Sequence, residues 1–277
     1  MIFFENNNVI LKDIPFFGLA DTLDCGQAFR FSNDNCGYTG VVNGRILRIC
    51  EIDEEIIIHN MKEDEFYDYY YNYFTLDIDY KELEKLFCTD PVMKKAMAFA
   101  KGTRLLRQDV FEVLISFIIS QNNNIKRIKG IIRRLCEEFG EKIHDDFYAF
   151  PTAETLAGLS ENDLSPLKAG FRNKYIIDAA KKVYSGEVDL EALKTLPIED
   201  AREQLMKIKG VGPKVAECVL LFGCWRFEAF PLDVWMKRVM EFYYPNGFPA
   251  KFYKYGGIAQ QYLFHYARTV NPMLNPM

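Results

Sequence analysis

Hydrophobic and polar positions recur with two different periods along the chain. In YTGVV (38–42) and RILRIC (45–50) apolar residues alternate on either side of Asn43-Gly44, a pair that tolerates positive φ and closes a two-residue hairpin. EEIIIHN (54–60) repeats the alternation and predicts a third strand. The organisation changes near residues 80–105, and beyond it the period is that of a helix. Phe111, Leu114, Ile115, Ile118 and Ile119 fall on one face behind Asp109 and Glu112, the spacing of a capping box. A polar break from Gln121 to Asn124 follows. Ile125, Ile128, Ile131, Ile132, Leu135 and Phe139 then mark a second helix, with Gly140 expected as its glycine C-cap. Further helices are predicted near 172–184, 198–207, 213–223, 232–243 and 257–269, each bounded by Gly, Pro or a capping residue. The expected fold is α+β: a small antiparallel β-rich domain over residues 1–95, then a mainly α-helical domain over residues 96–277.

Composition narrows the class without changing that picture. With 277 residues, 49% hydrophobic and 26% charged, the chain has a globular balance that excludes disorder and collagen. The apolar run VLISFIIS (113–120) is far shorter than the ~20 residues of a membrane span, so no membrane partner is expected. No basic, apolar leader opens the sequence, and the expected address is the cytoplasm, on the nucleoid if the source is prokaryotic. Seven scattered cysteines without a C-x-x-C pair read as reduced, mostly buried thiols rather than a zinc or iron–sulfur site. The net charge of −5 argues against a nucleic-acid partner until its distribution is considered. Residues 1–90 carry 7 Lys and Arg against 18 Asp and Glu, whereas residues 94–143 carry 11 against 5. Lys126, Arg127, Lys129, Arg133 and Arg134 share one amphipathic helix. Such a face attracts phosphate on an acidic protein, because charge beyond a Debye length of ~8 Å is largely screened.

Candidate chemistry lies in the last third. Gly210-Val211-Gly212-Pro213-Lys214 sits between two helical patterns as a helix-hairpin-helix candidate. Its glycines allow a tight turn, and N–H groups at the following helix start bind phosphate. Lys214 adjoins Val215, Ala216 and Val219, an apolar wall that disfavours an ammonium and so favours a nucleophilic amine. Asp233, in FPLDV, is placed to cap another helix while facing a developing positive charge. Taken singly, these features also read as an ordinary turn, a surface lysine and an N-cap.

In combination, the hairpin, the lysine at the head of the next helix and the Pro-x-Asp resemble the helix-hairpin-helix-Gly-Pro-Asp superfamily of base-excision DNA glycosylases. Within it, the sequence resembles the 8-oxoguanine DNA glycosylase/lyase family, through DCGQAFRF (24–31), YFTLD (73–77), RLLRQD (104–109), SFIISQNNNIKRIKG (116–130), GVGPKVAEC (210–218), FPLDV (230–234) and GIAQQYLFHYAR (257–268). The resemblance implies that Lys214 attacks C1′ of the damaged nucleotide and forms a Schiff base, with Asp233 stabilising the oxocarbenium-like sugar. It implies a pocket for an extrahelical 8-oxoguanine in which Cys218 and Phe264 sandwich the base, Gln260 bonds its Watson–Crick edge and the Gly26 carbonyl accepts N7–H. It assigns DNA contacts to Asn122, Arg127, Phe171, Arg172, Gly210, Val211 and Gly212, with Asn122 and the two arginines at the estranged cytosine. Phe171 stands where the animal enzyme has tyrosine, and Trp235 where the family has histidine. The implied partner is duplex DNA containing 8-oxoguanine, met by a monomer. No cofactor is implied for catalysis, although the resemblance allows a structural alkali-metal ion at the hairpin. A non-catalytic DNA-binding hairpin, a monofunctional glycosylase that uses water and a helical interaction protein are the alternative readings of the residues.

Overall fold

The computed structural model describes residues 1–270. Six antiparallel strands, β1 (Ile2–Glu5), β2 (Asn8–Leu11), β3 (Ser32–Asp34), β4 (Gly37–Val42), β5 (Arg45–Ile52) and β6 (Glu55–His59), form one sheet in the order β1-β2-β6-β5-β4-β3. The β4–β5 hairpin turns at Asn43 and Gly44 with φ of 50° and 69°, which sets Val42 opposite Arg45 and Tyr38 opposite Ile49. Strands β1, β2 and β3 are too short to show an alternation in the sequence. The β1–β2 turn nevertheless uses the same device, with Asn6 and Asn7 at φ of 51° and 62°. One face of the sheet buries Val9, Leu11, Leu47, Ile49, Ile56 and Ile58 against Phe66, Tyr70 and Phe74 of the segment that follows.

Among the described residues nine longer helices come next: α1 (Tyr80–Phe87), α2 (Pro91–Phe99), α3 (Val110–Ser120), α4 (Ile125–Phe139), α5 (Asn173–Tyr184), α6 (Ile198–Met206), α7 (Pro213–Phe222), α8 (Val234–Tyr243) and α9 (Gly256–Val270). The first two were not expected, yet their starts are written locally. Asp79 caps α1 through the N–H groups of Lys81 and Glu82, and Asp90 caps α2 through Val92 and Met93 with Pro91 in the first turn. Apolar packing does not divide at any single point of the chain, because Phe16 and Phe29 from the N-terminal part also pack into the helical core. Tyr80, Leu83 and Phe87 belong to the helical core, while Leu106 returns to the β core. Helix α3 lies at the centre, with every residue from Val113 to Ile119 buried.

Two expected caps differ in their physics. Asp109 does cap α3, accepting from the Glu112 N–H at 2.8 Å, but the Glu112 carboxylate turns away to Arg30 at 3.2 Å and no reciprocal box closes. That ion pair joins the β-domain to α3, and burial pushes the Glu112 carboxyl above its ordinary range against the pull of Arg30. Gly140 ends α4 in extended rather than left-handed backbone. Glycine is needed there because a Cβ would lie 2.0 Å from the Ala149 carbonyl oxygen. The domains are further pinned by Arg104, fully buried, which donates to the Thr75 and Pro15 carbonyls at 2.8 and 2.7 Å and lies 4.1 Å from the Tyr80 ring centroid.

Candidate active site

The hairpin forms between α6 and α7. Gly210 has φ of +81°, and a Cβ on it would fall 2.5 Å from the ring of Tyr175, so both the conformation and the close approach require glycine. Val211 is buried and donates to the Ile208 carbonyl at 3.0 Å. Gly212 is the extended N-cap of α7, with Pro213 at the first helical position. The turn is tied to α5 by the Lys209 N–H, which donates to Asp178 at 2.7 Å.

Helix α7 is buried without a break from Val215 to Phe222. Lys214, one residue earlier, reaches the rim, its Nζ 5.0 Å from the ring centroid of Phe117 on α3. Phe117 in turn stacks on Phe222, with centroids 5.4 Å apart and planes within 5°. One turn beyond the lysine, Cys218 is buried, and its thiol is pushed up to about 11 by burial, against which the positive charge of Lys214 acts. It is a neutral apolar surface at physiological pH, not a competing nucleophile. Asp233 caps α8, its Oδ1 accepting from the Met236 N–H at 2.8 Å. The loop that delivers it is held from α7: Glu217 accepts from the Phe230 N–H at 2.5 Å with one oxygen and from Arg202 with the other.

The opposite wall comes from the loop after the short helix Leu19–Leu23. Gly26 has φ of +91°, which favours glycine. The neighbouring Gln27 is 1% exposed and saturated: its Nε2 donates to the carbonyls of Thr22 and Arg104 at 2.9 and 2.7 Å, and its Oε1 accepts from the Leu106 N–H at 3.0 Å. Gln108 adds a bond to the Gln27 carbonyl at 2.9 Å. Asp24, two residues before Gly26, receives the Tyr38 hydroxyl at 2.7 Å and Lys129 at 3.1 Å. The floor belongs to α9, where Gln260 donates to the Pro231 carbonyl at 3.3 Å and accepts from Gln261 at 2.6 Å.

These walls enclose a cleft with about 390 Å³ of free space, including its open mouth. Lys214, Asp233, Gly26, Cys218, Gln260 and Phe264, six residues singled out in the sequence, all line it, together with Cys25, Phe117, Phe222, Pro231 and Gln261. A lysine and a carboxylate therefore share one compartment with a flat apolar slot and an amide, a set suited to holding a planar heterocycle while a nucleophile meets its sugar.

Residues 9–114 match the family model for the 8-oxoguanine DNA glycosylase N-terminal domain, and residues 115–247 match that for HhH-GPD superfamily base excision DNA repair proteins. A Clostridium acetobutylicum 8-oxoguanine glycosylase/lyase, solved in complex with double-stranded DNA containing cytosine opposite 8-oxoG, superposes with a TM-score of 0.89 at 40% identity, covering 96% of this chain and 97% of that one. The chain belongs to the 8-oxoguanine DNA glycosylase family. Among curated members, the N-glycosylase/DNA lyase of Saccharomyces cerevisiae is 39% identical over 60% of this chain and 48% of its own length. A probable N-glycosylase/DNA lyase of Methanothermobacter thermautotrophicus is 33% identical over 66% of this chain and 69% of its own. This chain thus spans about half the length of the yeast family member.

The family positions assigned to DNA lie outside the cleft lining. Asn122 is exposed at the turn between α3 and α4, with φ of +47°. Arg127 is exposed and donates to the Lys168 carbonyl at 3.3 Å. Phe171 presents an apolar ring that is 51% exposed, edge-on to Tyr175 at 5.9 Å. Arg172 is placed differently from a surface contact, at 2% exposure. Its guanidinium donates to the carbonyls of Gln121, Asn122 and Ala169 and lies 4.5 Å from the Phe171 ring centroid. Here it braces the Asn122 turn. Trp235, at the family's histidine position, is half-buried with the Arg238 guanidinium 5.4 Å from its ring centroid. Among the described residues no group of three or more His, Cys, Asp and Glu is placed to hold a metal. Sequence reasoning missed Gln27, Glu217 and Gln261. Each is a polar residue in an otherwise buried setting, and Glu217 was visible as a lone carboxylate in the apolar run of α7.

Proposed function

We propose that the protein excises 8-oxoguanine from duplex DNA as a bifunctional glycosylase and AP lyase in base excision repair. The observation that carries this reading is the meeting of Lys214 and Asp233 in one cleft with Gly26, Cys218, Gln260 and Phe264. The amine of Lys214 bonds to C1′ as the C1′–N9 bond breaks, and the proton it sheds leaves with the base. The Asp233 carboxylate faces the positive charge that develops on the sugar, where a fixed anion in a partly dehydrated cleft is most effective. Opening of the sugar ring leaves an iminium at C1′, and loss of a C2′ proton then expels the 3′ phosphate.

Recognition uses the other groups. Cys218 and Phe264 offer apolar faces to the flipped base, and Gln260 its amide to the Watson–Crick edge. The Gly26 carbonyl accepts the N7–H that 8-oxoguanine carries and guanine lacks, so guanine would leave that acceptor unpaired. Asn122, Arg127 and Arg172 would engage the estranged cytosine once Arg172 exchanges its carbonyl partners, with Phe171 filling the gap in the stack. The Gly210–Gly212 turn would grip the backbone through the N–H groups at the start of α7, and a structural alkali-metal ion there remains part of the proposal. One chain supplies every lining residue, so a monomer suffices.

The deciding experiment is borohydride trapping on a duplex with 8-oxoguanine opposite cytosine. A covalent adduct with wild type, none with undamaged duplex and none with Lys214→Gln is expected. Base release without an adduct would establish a monofunctional enzyme, and normal turnover by Lys214→Gln would overturn the assignment.

A further inference from the structure

The cleft contains a second glutamine whose place in the site is unassigned. Gln261 adjoins Gln260 in sequence, lines the same cavity and is 7% exposed, against 3% for Gln260. Three groups form a directed chain: Gln261 Nε2 donates to Gln260 Oε1 at 2.6 Å, and Gln260 Nε2 donates to the Pro231 carbonyl at 3.3 Å. The direction is dictated by chemistry. A backbone carbonyl only accepts, so the end of Gln260 that faces Pro231 is the NH₂, and the end facing Gln261 is the oxygen. The two links are unequal, because 3.3 Å lies beyond the usual N–H···O range and 2.6 Å at its short limit. The bond from Gln261 is therefore the one that holds the amide against rotation about its last torsion, which is otherwise broad and nearly two-fold.

We propose that Gln261 is a positioning residue that holds the Gln260 amide in the orientation set by the Pro231 carbonyl, and that this fixed polarity makes the cleft select a 6-oxopurine over a 6-aminopurine. The inference rests on the proposed reading of Gln260 as the group that meets the Watson–Crick edge. With both ends anchored, the amide still has one N–H and one lone pair on Oε1 to offer, in fixed order. A 6-oxopurine such as 8-oxoguanine presents an acceptor at position 6 beside a donor at N1. 8-Oxoadenine presents the reverse, a donor at position 6 beside an acceptor at N1. An amide free to turn over would pair with either, and a locked one sets donor against donor and lone pair against lone pair for the wrong base. The Gly26 carbonyl cannot make this distinction, because both 8-oxopurines carry N7–H. Lesion against normal base is thus read on one wall, and 6-oxo against 6-amino on the floor.

The test measures single-turnover release of 8-oxoguanine, 8-oxoadenine and guanine, each opposite cytosine. Gln261→Met keeps the side-chain length and removes the donor. It is expected to lower the 8-oxoguanine:8-oxoadenine ratio about tenfold, the worth of one buried hydrogen bond, while the 8-oxoguanine:guanine ratio serves as internal control. Gln261→Glu, whose carboxylate only accepts, repels Gln260 Oε1 and is expected to lower the first ratio further, by ~100-fold. An unchanged 8-oxoguanine:8-oxoadenine ratio in both variants overturns the proposal. So does a parallel fall of both ratios, which would mark Gln261 as packing alone. A wild type that releases no 8-oxoguanine overturns the proposed activity itself rather than the role of Gln261 within it.

Discussion

The two walls of the cleft are built by opposite means. Lys214 and Cys218 ride on α7, whose residues from Val215 to Phe222 are all buried, so the proposed nucleophile is located mainly by apolar packing. Gly26 rides on an irregular loop located by hydrogen bonds, four of them through Gln27 alone. Packing is non-directional and accepts volume-conserving exchanges, whereas a saturated buried amide accepts almost none. On the proposed reading, the wall that carries Lys214 should therefore tolerate changes around it that the Gly26 wall does not, which would make lesion selectivity the more fragile property of the two.

Substitutions at each wall break this contrast in graded steps. Loss of the nucleophile in Lys214→Gln is the largest, expected at ~10³-fold or more in base release with little change in stability. Next comes Gln27→Leu, which leaves the Arg104 carbonyl and the Leu106 N–H without their partner and the Thr22 carbonyl with only the Cys25 thiol. It is expected to cost about 2–4 kcal/mol in denaturant unfolding and to erode 8-oxoguanine:guanine selectivity about tenfold, while trapping through Lys214 survives. If selectivity stays intact in the folded variant, the loop is not held by that amide. Glu217→Gln retains an acceptor for the Phe230 N–H but loses the charge facing Arg202, and a fall of about 1–2 kcal/mol is expected. Because the bond to the Phe230 N–H is retained, the loop that carries Asp233 should stay in place and kcat and KM should each change less than about twofold; a clear fall in kcat would show that the ion pair with Arg202 holds the loop instead. The smallest effect is expected for Phe171→Tyr. The ring is half-exposed, so a hydroxyl can reach water, and stability should stay within ~0.5 kcal/mol by thermal unfolding.

What the sequence showed follows the same divide. The α7 face, the Asp233 cap and the β4–β5 hairpin were legible because each depends on residues within one or two turns of one another. Lys214, Cys218, Gln260 and Phe264 were then placed by motif, and the fold brings them to one cavity. Gln27 was not legible. Its partners at Thr22, Arg104 and Leu106 are joined only by tertiary structure, and a glutamine between Gly26 and Ala28 carries no periodic signal. Arg172 shows the same limit, since nothing in GFRNKY says that the guanidinium turns inward onto the carbonyls of Gln121 and Asn122. Gln261 was hidden by its neighbour, because a pair of glutamines in an apolar helix does not announce which one directs the other. The Glu112 carboxylate was assigned to its own helix cap and instead serves Arg30 across the domain boundary, a choice between near and distant partners that only the fold resolves.

The ring of Tyr175 occupies the space that a side chain at Gly210 would fill, and it stands edge-on to Phe171. On the proposed reading, the turn that clasps the phosphate backbone and the wedge that leans into the base stack are therefore joined through a single aromatic plate. A protein patrolling a long duplex must decide at each step whether to linger. With clasp and wedge resting on one plate, a change that displaces the Tyr175 ring would be felt at both, so on that reading grip on the strand and pressure on the stack are set by one side chain.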